Sequence, residues 1–270
     1  MAGAFRLAFV LAMALAASSG AAQVGTPTLV SIQTPRGATQ TFILMKVDNP
    51  VVSVILFGGG YGLLGLKSAS AIEYGEGFLV RSRDKFADHN FMVAVVDAPS
   101  DQQQGMNAMF RMSGAHAGDI GAVAAYLKKQ AGVPVWLVGT SMGTFSAAHG
   151  AIAAKSIDGL VLTSTVTRVT DSTLAKSHPD GVASMALPEI TVPTLIVSHR
   201  KDVCQTTPAA DAPKLRTRLT KASKVEIVLL DGGDPSLSDD PCGVKAPHGY
   251  LGIEVEAVNT IAKFISDNSK

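Results

Sequence analysis

The sequence predicts one α/β domain on a mostly parallel central sheet, with an antiparallel start and helices on both faces. Three observations predict it. From Phe91 onward, strand-length apolar runs alternate with helix-length segments of 3.6-residue periodicity, the pattern of β-α-β units. Before that, three extended runs follow one another with no helix between them, which suggests an antiparallel opening to the sheet. The chain has 270 residues, 47% hydrophobic and 17% charged, enough apolar material to cover a sheet on both sides.

The opening runs are Leu29 to Thr34, Thr41 to Val47 and Val51 to Phe57, separated by the turn residues Thr34-Pro35-Arg36-Gly37 and Asp48-Asn49-Pro50. A charged amphipathic helix is predicted over Phe78 to His89 and a buried strand over Phe91 to Val96. Residues 100 to 114 have no periodicity and are expected as a long loop at the strand's C-terminal end, the side where open α/β sheets bind ligands. Arg111 in this loop is a candidate contact for a substrate carboxylate; a structural ion pair is the alternative. His116 to Gln130 carries Ile120, Val123, Ala124 and Leu127 on one helical stripe.

Pro134 to Val138 is a short apolar strand, and Thr144 to Ala154 an alanine-rich helix. Gly139-Thr140-Ser141-Met142-Gly143 lies between them. A strand that turns abruptly into a helix lifts a serine hydroxyl above the sheet edge, and only very small residues two before and two after leave room. An ordinary turn with an N-capping serine is the plainer alternative.

Gly159 to Thr163 is the next strand. Ser164 to Leu187 is irregular, too short for a lid domain but able to hold one or two helical turns over a site. Strands over Val192 to Ser198 and Lys224 to Leu230 flank a helix over Thr207 to Leu219, and Ile253 to Ile265 closes the chain as an amphipathic helix. No repeat or linker interrupts residues 23 to 270, so one domain is expected there.

Lys plus Arg total 23 and Asp plus Glu 22, which leaves no field to attract nucleic acid. Met1 to Arg6 followed by the apolar Leu7 to Ala17 and small residues through Ala22 reads as a signal peptide over residues 1 to 22. The run is too short to span a bilayer, so the expectation is export to periplasm or medium with no membrane anchor after processing. In such a compartment the two cysteines, Cys204 and Cys242, are expected to form a disulfide. A metal site with His199 and His248 is the rival, but their spacings match no common zinc pattern, and no metal or cofactor is implied.

The glycines Gly58-Gly59-Gly60-Tyr61-Gly62 follow a buried strand, where backbone N–H groups approach a ligand closely. Phosphate cradling would need a lysine-bearing motif that is missing. An oxyanion donor fits better, a flexible turn being the plainer reading, and Tyr61 is a candidate substrate contact. An activated serine also needs a base and an orienting acid. Asp202 follows a strand downstream of Ser141, and His248 follows the last strand. Asp171, Asp231 and Asp234 compete for the acid. His199 competes for the base but precedes the acid. His89, His116 and His149 fall on or at the start of helices, and His178 reads as surface.

With these marks, the sequence resembles the α/β-hydrolase superfamily over nearly all of residues 23 to 270. The resemblance implies Ser141 as nucleophile, His248 as base and Asp202 as acid, with Met142 N–H and a donor from Gly59 or Gly60 binding the oxyanion. Phe57 stands where many esterases of the superfamily carry histidine. The implied activity is hydrolysis of a small or medium carboxylic ester, without cofactor. Amidase or peptidase chemistry on the same triad is one alternative, and a non-catalytic binding protein on the same scaffold is another.

Overall fold

The computed structural model describes residues 24–154 and 156–269. The segment expected as a signal peptide lies outside them. Eight strands form one sheet: β1 (Thr28–Gln33), β2 (Thr39–Met45), β3 (Val52–Phe57), β4 (Phe91–Val96), β5 (Val135–Thr140), β6 (Gly159–Thr163), β7 (Thr194–His199) and β8 (Val225–Leu230). Their order is β1-β2-β4-β3-β5-β6-β7-β8. β1 pairs with β2, and β2 with β4, antiparallel; all later pairs are parallel. The chain leaves β3 toward β4 on one side and returns to place β5 on the other, with Phe57 opposite Gly139. This reversal of strand order brings the loops after β3 and β5 together at the sheet's C-terminal edge, where α/β folds open a crevice.

Strand period divides the core in two. In β5, Val135 and Leu137 join one apolar cluster and Trp136 and Val138 the other. The first cluster packs under α4 (Gly114–Ala131) and α5 (Gly143–Ala153), the second under α1 (Phe78–Arg81), α2 (Arg83–Ala87) and α8 (Glu254–Asp267). Ser113 starts α4 by accepting the His116 N–H on its hydroxyl at 3.2 Å, and Gly132, in the left-handed region, ends it.

Four expectations change. The helix over 78 to 89 is two helices, because Ser82 (φ −100°, ψ 6°) leaves helical geometry between them. The long loop before α4 contains the short helix α3 (Ala108–Arg111), capped by the Asn107 side chain. The helix over 207 to 219 forms as a 3₁₀ turn (Ala209–Asp211) and then α7 (Ala212–Arg218), since Pro213 fits only a first helical turn. Between β6 and β7, α6 (Ser172–Ser177) is followed by two 3₁₀ turns that pack beside α5 and α7, burying Val182 and Leu187 in the first cluster instead of covering the crevice. Among the described residues no helix is long and apolar enough to cross a membrane.

Candidate active site

Ser141 has φ +52°, the left-handed region that a non-glycine residue enters at a cost of about 1–3 kcal/mol. The surroundings hold it there. Ser141 N–H donates to the Thr163 carbonyl at 3.1 Å, tying the turn to the end of β6. A Cβ on Gly143 would stand 2.2 Å from the Phe57 carbonyl oxygen, and one on Gly139 would stand 2.5 Å from the Gly143 carbonyl oxygen. Neither contact is sterically possible, so the pentad's two glycines are demanded by backbone approach.

His248 lies in a 3₁₀ turn (Pro247–Gly249) after β8 and is buried. Its Nδ1 is 3.0 Å from Asp202 Oδ2. The other Asp202 oxygen accepts the Cys204 N–H at 2.9 Å, and Oδ2 also accepts the Thr207 hydroxyl at 3.0 Å. With Nδ1 engaged by the carboxylate, Nε2 is the ring nitrogen left for proton exchange. The Thr207 hydroxyl lies 3.0 Å from His248 Nδ1 as well, so one buried hydroxyl braces both partners.

The imidazole's backbone is pinned from behind. Ser164 Oγ donates to the His248 carbonyl at 2.9 Å. Tyr250, buried and with φ +59°, donates its hydroxyl to the Val197 carbonyl at 3.0 Å and accepts from Ser164 N–H at 3.2 Å. Burial pushes the Tyr250 phenol well above its ordinary range, so it stays a protonated donor.

A cavity of about 570 Å³ opens at this edge of the sheet. Ser141, His248 and Gly58 to Leu64 line it, with Phe78, Val80 and Val244 among the apolar walls. Tyr61 and Tyr74, both mostly exposed, stand at its rim. From the long loop before α4, Gln104 alone reaches it. Arg111 does not: it is fully buried and its guanidinium bonds Ser146 Oγ and the carbonyls of Gly60, Met106 and Gly58. It is therefore neither a substrate contact nor an ion-pair partner among the described residues, because the loop after β3 wraps over it.

Cys204 and Cys242 are joined by a disulfide, and Cys242 reaches the cavity wall. Asp202, Cys204 and His248 bring possible ligand atoms within 4.8 Å, but a sulfur bonded to sulfur offers no thiolate to a metal. The rival residues have other tasks. His199 accepts the Lys201 N–H on Nδ1 and meets the Gly232 carbonyl with Nε2. Asp171 caps α6, and Asp231 is exposed and bonds the Gly232 N–H. His116 is buried, and that burial, reinforced by nearby Arg111, pushes it down to about 3. Thr207, Ser164 and Tyr250 escaped sequence reasoning. Only Tyr250 carried a signal, as an aromatic residue two places after His248.

Neither a protein-family model nor a curated protein matches the sequence. Solved structures do match in shape. An esterase of Pyrococcus furiosus superposes with a TM-score of 0.65 at 14% identity, covering 91% of this chain and 92% of that one. Brefeldin A esterase, a bacterial homologue of human hormone-sensitive lipase, gives 0.61 at 14% identity over 96% of this chain and 81% of the other. A cold-adapted esterase from an Arctic intertidal metagenomic library gives 0.59 at 14% identity over 90% and 93%. With the eight-stranded sheet, its antiparallel start and the strand-turn-helix around Ser141, these likenesses place the chain in the α/β-hydrolase fold.

Proposed function

We propose that the protein is an exported serine hydrolase that cleaves a carboxylic ester through an acyl-enzyme on Ser141. The observation that carries this reading is the contact of 3.0 Å between His248 Nδ1 and Asp202 Oδ2, with His248 lining the same cavity as a serine in left-handed backbone. Ser141 Oγ attacks the ester carbonyl while His248 Nε2 takes its proton, and Asp202 stabilises the imidazolium. Met142 N–H, at the N-terminus of α5, and an N–H of the loop after β3 receive the oxyanion. The imidazolium then protonates the departing alkoxide. Water attacks the acyl-enzyme in the second half, its proton passing to His248 and on to Ser141 as the acid leaves.

The esterase activity named for the similar structures supports the substrate class. The cavity's size and its walls of Leu63, Leu64, Phe78, Val80 and Val244 suit a short or medium acyl chain. Export is supported by the disulfide, a bond that persists in oxidising compartments.

The test is hydrolysis of p-nitrophenyl esters from acetate to palmitate by the mature protein and by Ser141→Ala, with a fluorophosphonate probe alongside. Turnover of the shorter esters by wild type alone supports the reading. Labelling without turnover of any ester moves the substrate to another acyl class, and an inert serine overturns the enzyme.

A further inference from the structure

Arg111 is a cation with no exposure and no carboxylate partner among the described residues, which is an expensive way to bury a side chain. Its acceptors are neutral. Nη2 donates to the Gly60 carbonyl at 3.0 Å and to the Gly58 carbonyl at 3.4 Å; Nη1 donates to Ser146 Oγ at 2.8 Å and Nε to the Met106 carbonyl at 3.3 Å. Two of these four belong to the glycine loop facing Ser141. Burial pushes the guanidinium down to about 9, which leaves it charged at neutral pH.

The geometry of the peptide unit makes those two contacts consequential. Across a planar trans peptide the C=O of one residue and the N–H of the next point in opposite directions, and the described chain has no cis bond. Holding the Gly58 carbonyl on the guanidinium therefore turns the Gly59 N–H away from Arg111, and holding the Gly60 carbonyl does the same for the Tyr61 N–H. The remaining carbonyl, Gly59, is tied within the loop to the Gly62 N–H at 3.1 Å, with Gly60 between them at φ +54°. All three carbonyls are thus occupied, whereas the N–H groups of Gly59, Gly60 and Tyr61 have no acceptor among the described residues, so position relative to Ser141 separates them. Gly59 is also the loop residue against the serine, since a Cβ there would lie 3.1 Å from Ser141 Cβ. The loop is moulded closely on the arginine, for a Cβ on Gly62 would meet its Nη2 at 2.5 Å.

We infer that Arg111 is the positioning residue of the oxyanion hole, holding the Gly58 and Gly60 carbonyls so that the Gly59 N–H is presented beside Ser141 as the second oxyanion donor. This rests on the proposed serine hydrolase. It selects between the two glycines that the sequence left open. The inference gives the buried charge a purpose as well: a fixed positive group beneath the loop strengthens the N–H dipoles that receive the developing negative charge.

The test compares Arg111→Met, of similar length but neutral, and Arg111→Lys, charged but with one nitrogen that cannot serve all four acceptors, with wild type on a p-nitrophenyl ester. Each is purified as folded protein with its melting curve recorded. Binding of an alkyl trifluoromethyl ketone, whose serine adduct carries the oxyanion, is measured alongside. Arg111→Met is expected to lose roughly 10²- to 10³-fold in kcat, the effect of removing one oxyanion donor, with KM within about twofold. Its affinity for the ketone falls by a similar factor, and Arg111→Lys recovers part of both. A kcat equal to wild type in folded Arg111→Met, or a loss confined to KM, overturns the inference. Should Arg111→Met not fold, Arg111→Lys decides it, an unaltered kcat and ketone affinity being the overturning result. If wild type takes neither ester nor ketone, the hydrolase reading falls and this inference with it. If wild type takes both and the variants match it, this inference falls alone.

Discussion

The Cys204 N–H donates to Asp202 Oδ1 at 2.9 Å, so the backbone that hydrogen-bonds the proposed acid carries a sulfur bonded to Cys242. Cys242 in turn lies on the cavity wall, six residues before His248. The disulfide therefore bridges the loop that carries Asp202 and the loop that carries His248, the proposed acid and base.

Closing a loop across 38 residues contributes about 4 kcal/mol in the chain-entropy model. The double variant Cys204→Ser/Cys242→Ser is expected to melt at a clearly lower temperature. Because the bond also fixes the Asp202 loop against His248, kcat is expected to fall several-fold at temperatures where the variant is still fully folded. Thermal melts paired with ester kinetics check both effects. A lower melting temperature with unchanged kcat would reduce the bridge to a staple.

Thr207 offers a finer probe of the same pair. Its hydroxyl donates to Asp202 Oδ2 from a position 1% exposed, and a hydrogen bond to a buried charged group is worth about 1.5–3 kcal/mol. Thr207→Val keeps the shape and removes the donor. The expected result is a loss of that order in urea unfolding near neutral pH, with kcat reduced and KM little changed. Thr207→Ser restores both. Equal stability and kcat in Thr207→Val would show that the hydroxyl does nothing for the carboxylate.

The fold was legible because its signals are local. Val135 to Val138 alternate between two buried clusters yet read as one apolar run, and the glycines around Ser141 are demanded by contacts of 2.2 and 2.5 Å that a motif records faithfully. Ser141, Asp202 and His248 were legible as candidates because each follows a strand, and the sheet then gathers strand ends at one edge. Arg111 was misread for the opposite reason. Its partners are mostly backbone carbonyls up to 53 residues away, and carbonyls leave no trace in side-chain identity. Thr207 and Ser164 were invisible likewise, as small hydroxyl residues whose importance arises from tertiary burial.

His116 gives a prediction about pH. It is buried, its Nε2 meets Ser146 Oγ at 2.9 Å, and its Nδ1 has no partner among the described residues. Desolvation first, and then the charge of Arg111, lower it from 6.5 to about 3. Above pH 6.5 the ring is neutral folded or unfolded, and it adds no pH dependence. As pH falls from 6.5 toward 3, the unfolded chain binds a proton that the folded chain refuses, so this group subtracts about 1.4 kcal/mol per pH unit. Below about 3 both states are protonated and the loss levels off. Stability from urea unfolding at pH 7, 6, 5 and 4 is therefore expected to decline more steeply in wild type than in His116→Phe. The aromatic ring of that variant keeps the packing against Phe57 and Phe110 but cannot titrate. Parallel curves for the two proteins would mean that the ring is protonated in the folded state as readily as in the unfolded chain.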